Sequence, residues 1–231
     1  MTEAWPSMTN RMRQMLTALL VAVIFSIAFA YIESAVVVYL RAIFHPDGFT
    51  FPLQAFDLTP LGRRLLLTEI GREAATLVLI VTGAWLFGRN RHERAAYFLV
   101  IFAVWDLFYY VWLKVLLDWP ASLMDWDVLF LMPMLWASAV LYPVLVSLLM
   151  FAFAVALLYR CTIARPVAVH RWDWLAWLLA SVVIIVSFCL GGTAVTEPNY
   201  KEYFHWPIFA VGYAIAAAAC LRCLARSPSR T

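Results

Sequence analysis

Apolar side chains run through this chain in six long blocks, at residues 15–44, 65–87, 95–117, 130–159, 174–190 and 203–224, with short polar intervals between them. Within each block the apolar character holds in every register and lacks the alternation of a half-exposed strand. A membrane-spanning helix needs about 20 such residues, whereas strands of a membrane barrel alternate over ~10. The pattern predicts an all-α polytopic bundle, one transmembrane domain of about six helices covering 1–231. Pro133 and Pro143 interrupt the fourth block. Proline removes a backbone donor and clashes with the preceding turn, so a short interfacial piece over 122–131 and then a kinked span to 159 are expected there.

Composition narrows the class. Hydrophobic residues make up 65% of the chain and charged ones 13%, with a mean hydropathy of +0.83. Soluble domains are about 45–50% apolar and about 25% charged, and a 26.3 kDa chain has too little interior to hide the surplus. The partner is the lipid bilayer. A net charge of +3 leaves no basic footprint for nucleic acid.

The few charges are sorted along the chain. With six spans, one side carries Arg11, Arg13, Arg89, Arg91, Arg94, Arg160, Arg165, Arg171, Arg222, Arg226 and Arg230; the other carries Arg41, Arg63, Arg64, Lys114 and Lys201. Cytoplasmic flanks collect Lys and Arg, so both termini are expected in the cytoplasm and the protein in the cytoplasmic membrane. Glu3, Glu93 and Asp173 share the arginine-rich side, while Asp47, Asp57, Asp118, Asp125, Asp127, Glu197 and Glu202 lie on the other. Ala28-Phe29-Ala30 has the small residues of a leader-peptide cleavage site, but the apolar run continues through Leu40. The segment is read as a span.

What remains are ionisable groups inside the spans, which are costly there and mark function. These are Glu33, Glu69, Arg72, Glu73 and Asp106, with Lys114 and His205 at span ends. At a rise of about 1.5 Å per residue, Glu69, Glu73 and Asp106 fall roughly 6, 12 and 13 Å below the outer boundary, and Glu33 falls in the outer third. Glu69, Arg72 and Glu73 share one helical face. Asp106, Tyr110 and Lys114 step by four along the next span, with Trp105, Tyr109 and Trp112 beside them. A carboxylate-rich cavity in the outer half, opening to the outer face, is the expectation.

Several chemistries use such a set. Glu33, Glu69, Glu73, Asp106 and His205 are candidate ligands of a divalent metal ion, since carboxylate and imidazole suit Mn, Fe or Zn, although the Glu-x-x-His pair of di-iron bundles is missing. The same acids suit proton relay or binding of a cation or a small lipophilic ligand during transport, with Glu33, Glu69, Arg72, Lys114, Trp105 and Tyr109 lining the site. A homo-oligomer or membrane complex would enlarge a bundle that is lean for a transporter. As a membrane enzyme, the chain would use Asp106, Glu73 and Tyr110 catalytically, Asp106 as general acid on a lipophilic substrate. In a structural subunit, Arg72 and Lys114 would simply neutralise two carboxylates. The sequence leaves these open.

Lesser features complete the pattern. Most tryptophans and tyrosines fit interfacial belts. The His45–Pro52 stretch, with its Pro-Asp-Gly turn, reads as a folded lid. Asp125-Trp126-Asp127 has the spacing of a metal-binding acid pair. Cys220-x-x-Cys223 reads as small apolar filler in an alanine-rich helix.

Overall fold

The computed structural model describes residues 7–46, 48–54, 59–163 and 167–226. Glu3, Asp47, Asp57, Arg165 and Arg230, which contribute to the flanking charge pattern, lie outside the described residues. Six α-helices dominate: α1 (Met8–Phe44), α2 (Pro60–Phe87), α3 (Arg91–Leu117), α4 (Leu141–Thr162), α5 (Arg171–Gly192) and α6 (Trp206–Ala225). The all-α expectation holds in the main. Five of the helices, α1 and α3 to α6, are long and apolar enough to cross a membrane, which supports reading the chain as a membrane protein. The remaining one, α2, carries Arg63, Arg64, Glu69, Arg72 and Glu73 in its first half.

Helix starts follow local chemistry. Ser7 accepts a hydrogen bond from the Asn10 amide, Thr59 from Gly62, and Asn90 from His92 and Glu93. Each satisfies an amide that has no partner within the helix. Pro60 opens α2, where a missing N–H costs nothing. Asp118 ends α3 in the left-handed region, at φ 52°.

The fourth block departs from expectation. In place of a span beginning near 130, a two-stranded antiparallel hairpin precedes α4. Its strands are β1 (Trp126–Phe130) and β2 (Trp136–Ala139), paired Trp126 to Ala139 and Phe130 to Trp136. The prolines explain the difference. Pro133 falls between the strands, where no ladder donor is needed, and Pro143 sits in the first turn of α4, where its absent N–H is one of the helix orphans. Neither has to kink a helix. Asp125 anchors the hairpin base: its side chain accepts the amides of Ala121 and Ser122, and its carbonyl accepts that of Val140.

Packing fixes the bundle. In α1, Ala22, Ser26, Ala30 and Ser34 repeat every four residues and are fully buried, a small-residue stripe that lets another helix come close. That helix is α3. Ser34 donates to the Tyr109 carbonyl at 3.1 Å, and the Trp112 indole donates to the Ile27 carbonyl at 3.0 Å. α3 also packs along α4 and α2, while α5 packs along α6 and β2. At the end away from the hairpin, fully buried Asp173 of α5 holds Arg222 and Arg226 of α6, and Arg160 of α4 donates to the last carbonyls of α6. Asp173, placed by sequence among loop acids, is an interhelical clasp.

Candidate functional site

A cavity of about 630 Å³ lies at the hairpin end, walled by α1, α2, α3, the hairpin, α4 and α5. Its walls are mostly apolar, with Leu66, Phe102, Phe130, Met150 and Ile184 representative. Into it project five acids (Glu33, Glu69, Glu73, Asp106, Asp127) and three arginines (Arg41, Arg63, Arg72). The four acids counted within the spans thus share one cavity. Charged groups in so apolar a space require partners, and the partners divide them into three sets.

The first set is centred on Arg72. Its guanidinium forks onto Glu69, one turn earlier on α2, with Nε to Oε2 at 2.9 Å, and also meets Glu33 across on α1. Thr76 donates a further hydrogen bond to Glu33. One cation therefore serves two carboxylates and ties α2 to α1. The second set was not assembled from sequence. Arg41, near the end of α1, donates to Asp127 of β1 at 3.2 Å, and the Tyr109 hydroxyl donates to the other oxygen of Asp127 at 3.2 Å. Both charged residues are buried, and the guanidinium lies 3.9 Å from the ring centres of both Phe49 and Trp119. Asp125 and Asp127 thus face separate tasks, and no metal pair forms between them.

The third set meets only neutral donors. Glu73, 4% exposed, accepts the Leu131 amide of the hairpin through both oxygens at 3.0 Å. Asp106 accepts the Ser147 hydroxyl of α4 at 2.8 Å. Neither carboxyl forms an ion pair among the described residues. Trp105 and Tyr110 line the cavity beside Asp106, Trp105 packing against Phe29, Phe102 and Phe130 and Tyr110 against Tyr109 and Trp119.

Two expected members stand apart. Lys114 is exposed and pairs with Asp118 one turn on at 2.7 Å, so the stripe from Asp106 through Tyr110 stops short of it. A flexible, strongly hydrated ammonium near a helix end reaches solvent readily. His205 is exposed in the turn before α6 and does not line the cavity. Among the described residues no group of three or more His, Cys, Asp or Glu is placed to hold a metal ion. The five-residue metal set is therefore not assembled: Arg72 occupies the space between Glu33 and Glu69, and His205 is remote.

The described residues of the His45–Pro52 stretch, and those just after it, pack on the rest of the molecule. Leu53 donates its amide to the Val195 carbonyl at 2.7 Å, and Phe51 packs against Trp126 and Tyr200. His45, Phe49, Leu53 and Gln54 line the cavity from this segment. His45 has its pKa lowered by partial burial and, secondarily, by the charge of Arg41. Ser147, Arg41 and the Leu131 amide are the site members that sequence reading did not find. A serine in an apolar helix and an arginine at a span end carry no spacing signal, and the amide became available only because a hairpin formed.

Comparisons of the chain with protein-family models, with curated proteins and with solved structures found no match.

Proposed function

We propose that this is a six-span protein of the cytoplasmic membrane, hairpin end outward and both termini inside, whose cavity binds a lipophilic organic cation. The charge count carries the reading. Arg41 and Arg72 are occupied by Asp127, Glu33 and Glu69, while Glu73 and Asp106 share the same apolar-walled cavity without a cation. An uncompensated carboxylate is expensive in such a place. A proton satisfies it when the site is empty, and a cation with an apolar body satisfies both the acids and the walls. Binding then exchanges a ligand cation for a proton, which is the elementary step of proton-coupled movement. Aromatic faces at Trp105, Tyr109 and Tyr110 add cation–π attraction. The orientation rests on the arginines gathered at the far end.

Tetraphenylphosphonium is a suitable probe, being both cationic and apolar. Equilibrium dialysis with purified protein in neutral detergent should show saturable binding. Asp106→Asn and Glu73→Gln should each weaken it at least tenfold, about 1.4 kcal/mol, whereas Lys114→Gln should leave it unchanged. Equal binding by both acid variants and the parent would overturn the reading.

A further inference from the structure

The way the cavity is walled says how its ligand arrives. On α5, Ser181, Ile184, Ile185 and Phe188 line the cavity; on α2, Gly62, Leu65, Leu66 and Glu69 do so. Each set has the i, i+3, i+4, i+7 spacing of one helical stripe. In a closed bundle such a stripe meets another helix. Here α2 packs along α3, and α5 packs along α6 and β2, so both stripes face the open space instead. The α5 stripe begins at Ser181, the eleventh residue of a 22-residue helix, about 15 Å from its start and thus near mid-bilayer. Ser181 is exposed, and its neighbours Leu178 and Val182 are 62% and 49% exposed. At that depth the surrounding medium is lipid, not water. The cavity, which Phe98, Phe102 and Met150 also line, therefore meets the hydrocarbon at exposed Ser181, through a side slot beside α5.

Polarity is ordered along the same axis. Phe98 and Ser181 come from the halves of α3 and α5 away from the hairpin, Asp106 lies farther along α3, Glu73 meets the hairpin at the Leu131 amide, and Arg41, His45, Gln54 and Arg63 come from the end of α1, the segment after it and the start of α2. From Ser181 to Phe188 the apolar arm is about 10 Å long, the length of a short run of methylenes. We infer that the ligand is a single-chain lipid-phase amine that enters sideways through this slot, its alkyl chain along the α5 stripe and its ammonium between Glu73 and Asp106. This rests on the cation-binding reading above and adds two elements to it: the class of ligand and the route from the membrane. The other entrance, at the hairpin end, is lined by exposed Arg63 and Gln54, and a cationic head has no reason to pass the arginine first.

The test uses full-length protein in phosphatidylcholine vesicles containing octylamine with a diazirine at its methyl end. After brief illumination, peptide mapping should place label at 181–188 of α5 and 98–102 of α3. The octanol analogue should label these segments at least fivefold less, as should the amine on Asp106→Asn. Leu178→Trp, at the exposed mouth of the slot and outside the cavity lining, and the milder Leu178→Phe should the tryptophan variant not fold, should slow labelling from vesicles at least fivefold while leaving tetraphenylphosphonium affinity in detergent within twofold of the parent. Label spread evenly over lipid-facing helix surfaces, or identical labelling rates in the Leu178 variants, would overturn the route while leaving phosphonium binding intact. Loss of phosphonium binding in the parent itself would instead remove the underlying reading.

Discussion

Arg41 and Asp127 show how much a single buried contact holds at this end of the molecule. The pair joins the end of α1 to β1, and two aromatic rings cover the guanidinium. Removing one member of a buried pair leaves the other charge unsatisfied and costs about 3–5 kcal/mol, while replacing both is far cheaper. Arg41→Met should therefore lower stability in detergent by about that amount, and Arg41→Met with Asp127→Asn should recover most of it; denaturant titration of the three variants is the measurement. His45, next along the chain, carries a smaller effect of defined sign. Its pKa is lowered in the folded state, so the stability it contributes is complete above its ordinary value near 6.5 and is lost as pH falls through the lowered one. Melting temperature should decline on acidification through that window, and His45→Asn should flatten that part of the profile.

The hairpin is the element on which the cavity depends. It supplies the Leu131 amide to Glu73 and the Asp127 carboxylate to Arg41, and it rests on the end of α5 at Gly191 and Gly192. A Cβ at Gly191 would collide with the Ala137 carbonyl oxygen, and one at Gly192 with that of Leu135. Backbone cannot yield as a side-chain tip can, so either glycine changed to alanine should displace the hairpin and abolish phosphonium binding. Gly71 is the internal control. Nothing lies within 4 Å of a Cβ placed there, and it sits inside α2, so Gly71→Ala should stabilise by about 0.5–1 kcal/mol without affecting binding. Circular dichroism melts together with dialysis separate the two outcomes.

At the scale of the whole molecule, an apolar bundle is tied at its two ends by charge. Asp173 with Arg222 and Arg226 clasps α5 to α6 at one end, and the Arg41 and Arg72 sets join α1 to β1 and α2 at the other. Between them the helices expose large apolar side chains such as Leu20, Ile24, Val78 and Leu178, as a lipid-solvated surface requires. Under the proposed six-span topology, cysteines introduced at Arg91 and Arg171 should react with an impermeant maleimide only after the inner face is opened. A cysteine at Leu123, beside the hairpin, should react in intact cells. Reaction of the cysteine at Arg91 or at Arg171 in intact cells would exclude the six-span arrangement, and exchange of the two sides would show that α2, the most charged helix, does not cross.

The solvent was legible in the chain before any fold. Long apolar blocks in a chain with 13% charge leave the bilayer as the medium and helices as the means of pairing every backbone group within it. The convergence of the intramembrane acids was legible too, because helical rise is constant: Glu33, Glu69, Glu73 and Asp106 do line one cavity. Partnership was not. Whether Asp106 meets Lys114 or Ser147, and whether Arg72 faces Glu73 or Glu33, depends on which helices touch and at what rotation, and periodicity along one helix carries no information about its neighbour. The hairpin was hidden for a related reason. An apolar run with two prolines suits a kinked helix as well as strand, turn and helix start, and the choice falls to long-range contacts: the Leu131 amide on Glu73, Asp127 on Arg41, β2 on the glycines of α5. Local chemistry set the medium and gathered the acids toward one end, and tertiary packing determined which acids met an arginine and which met only neutral donors.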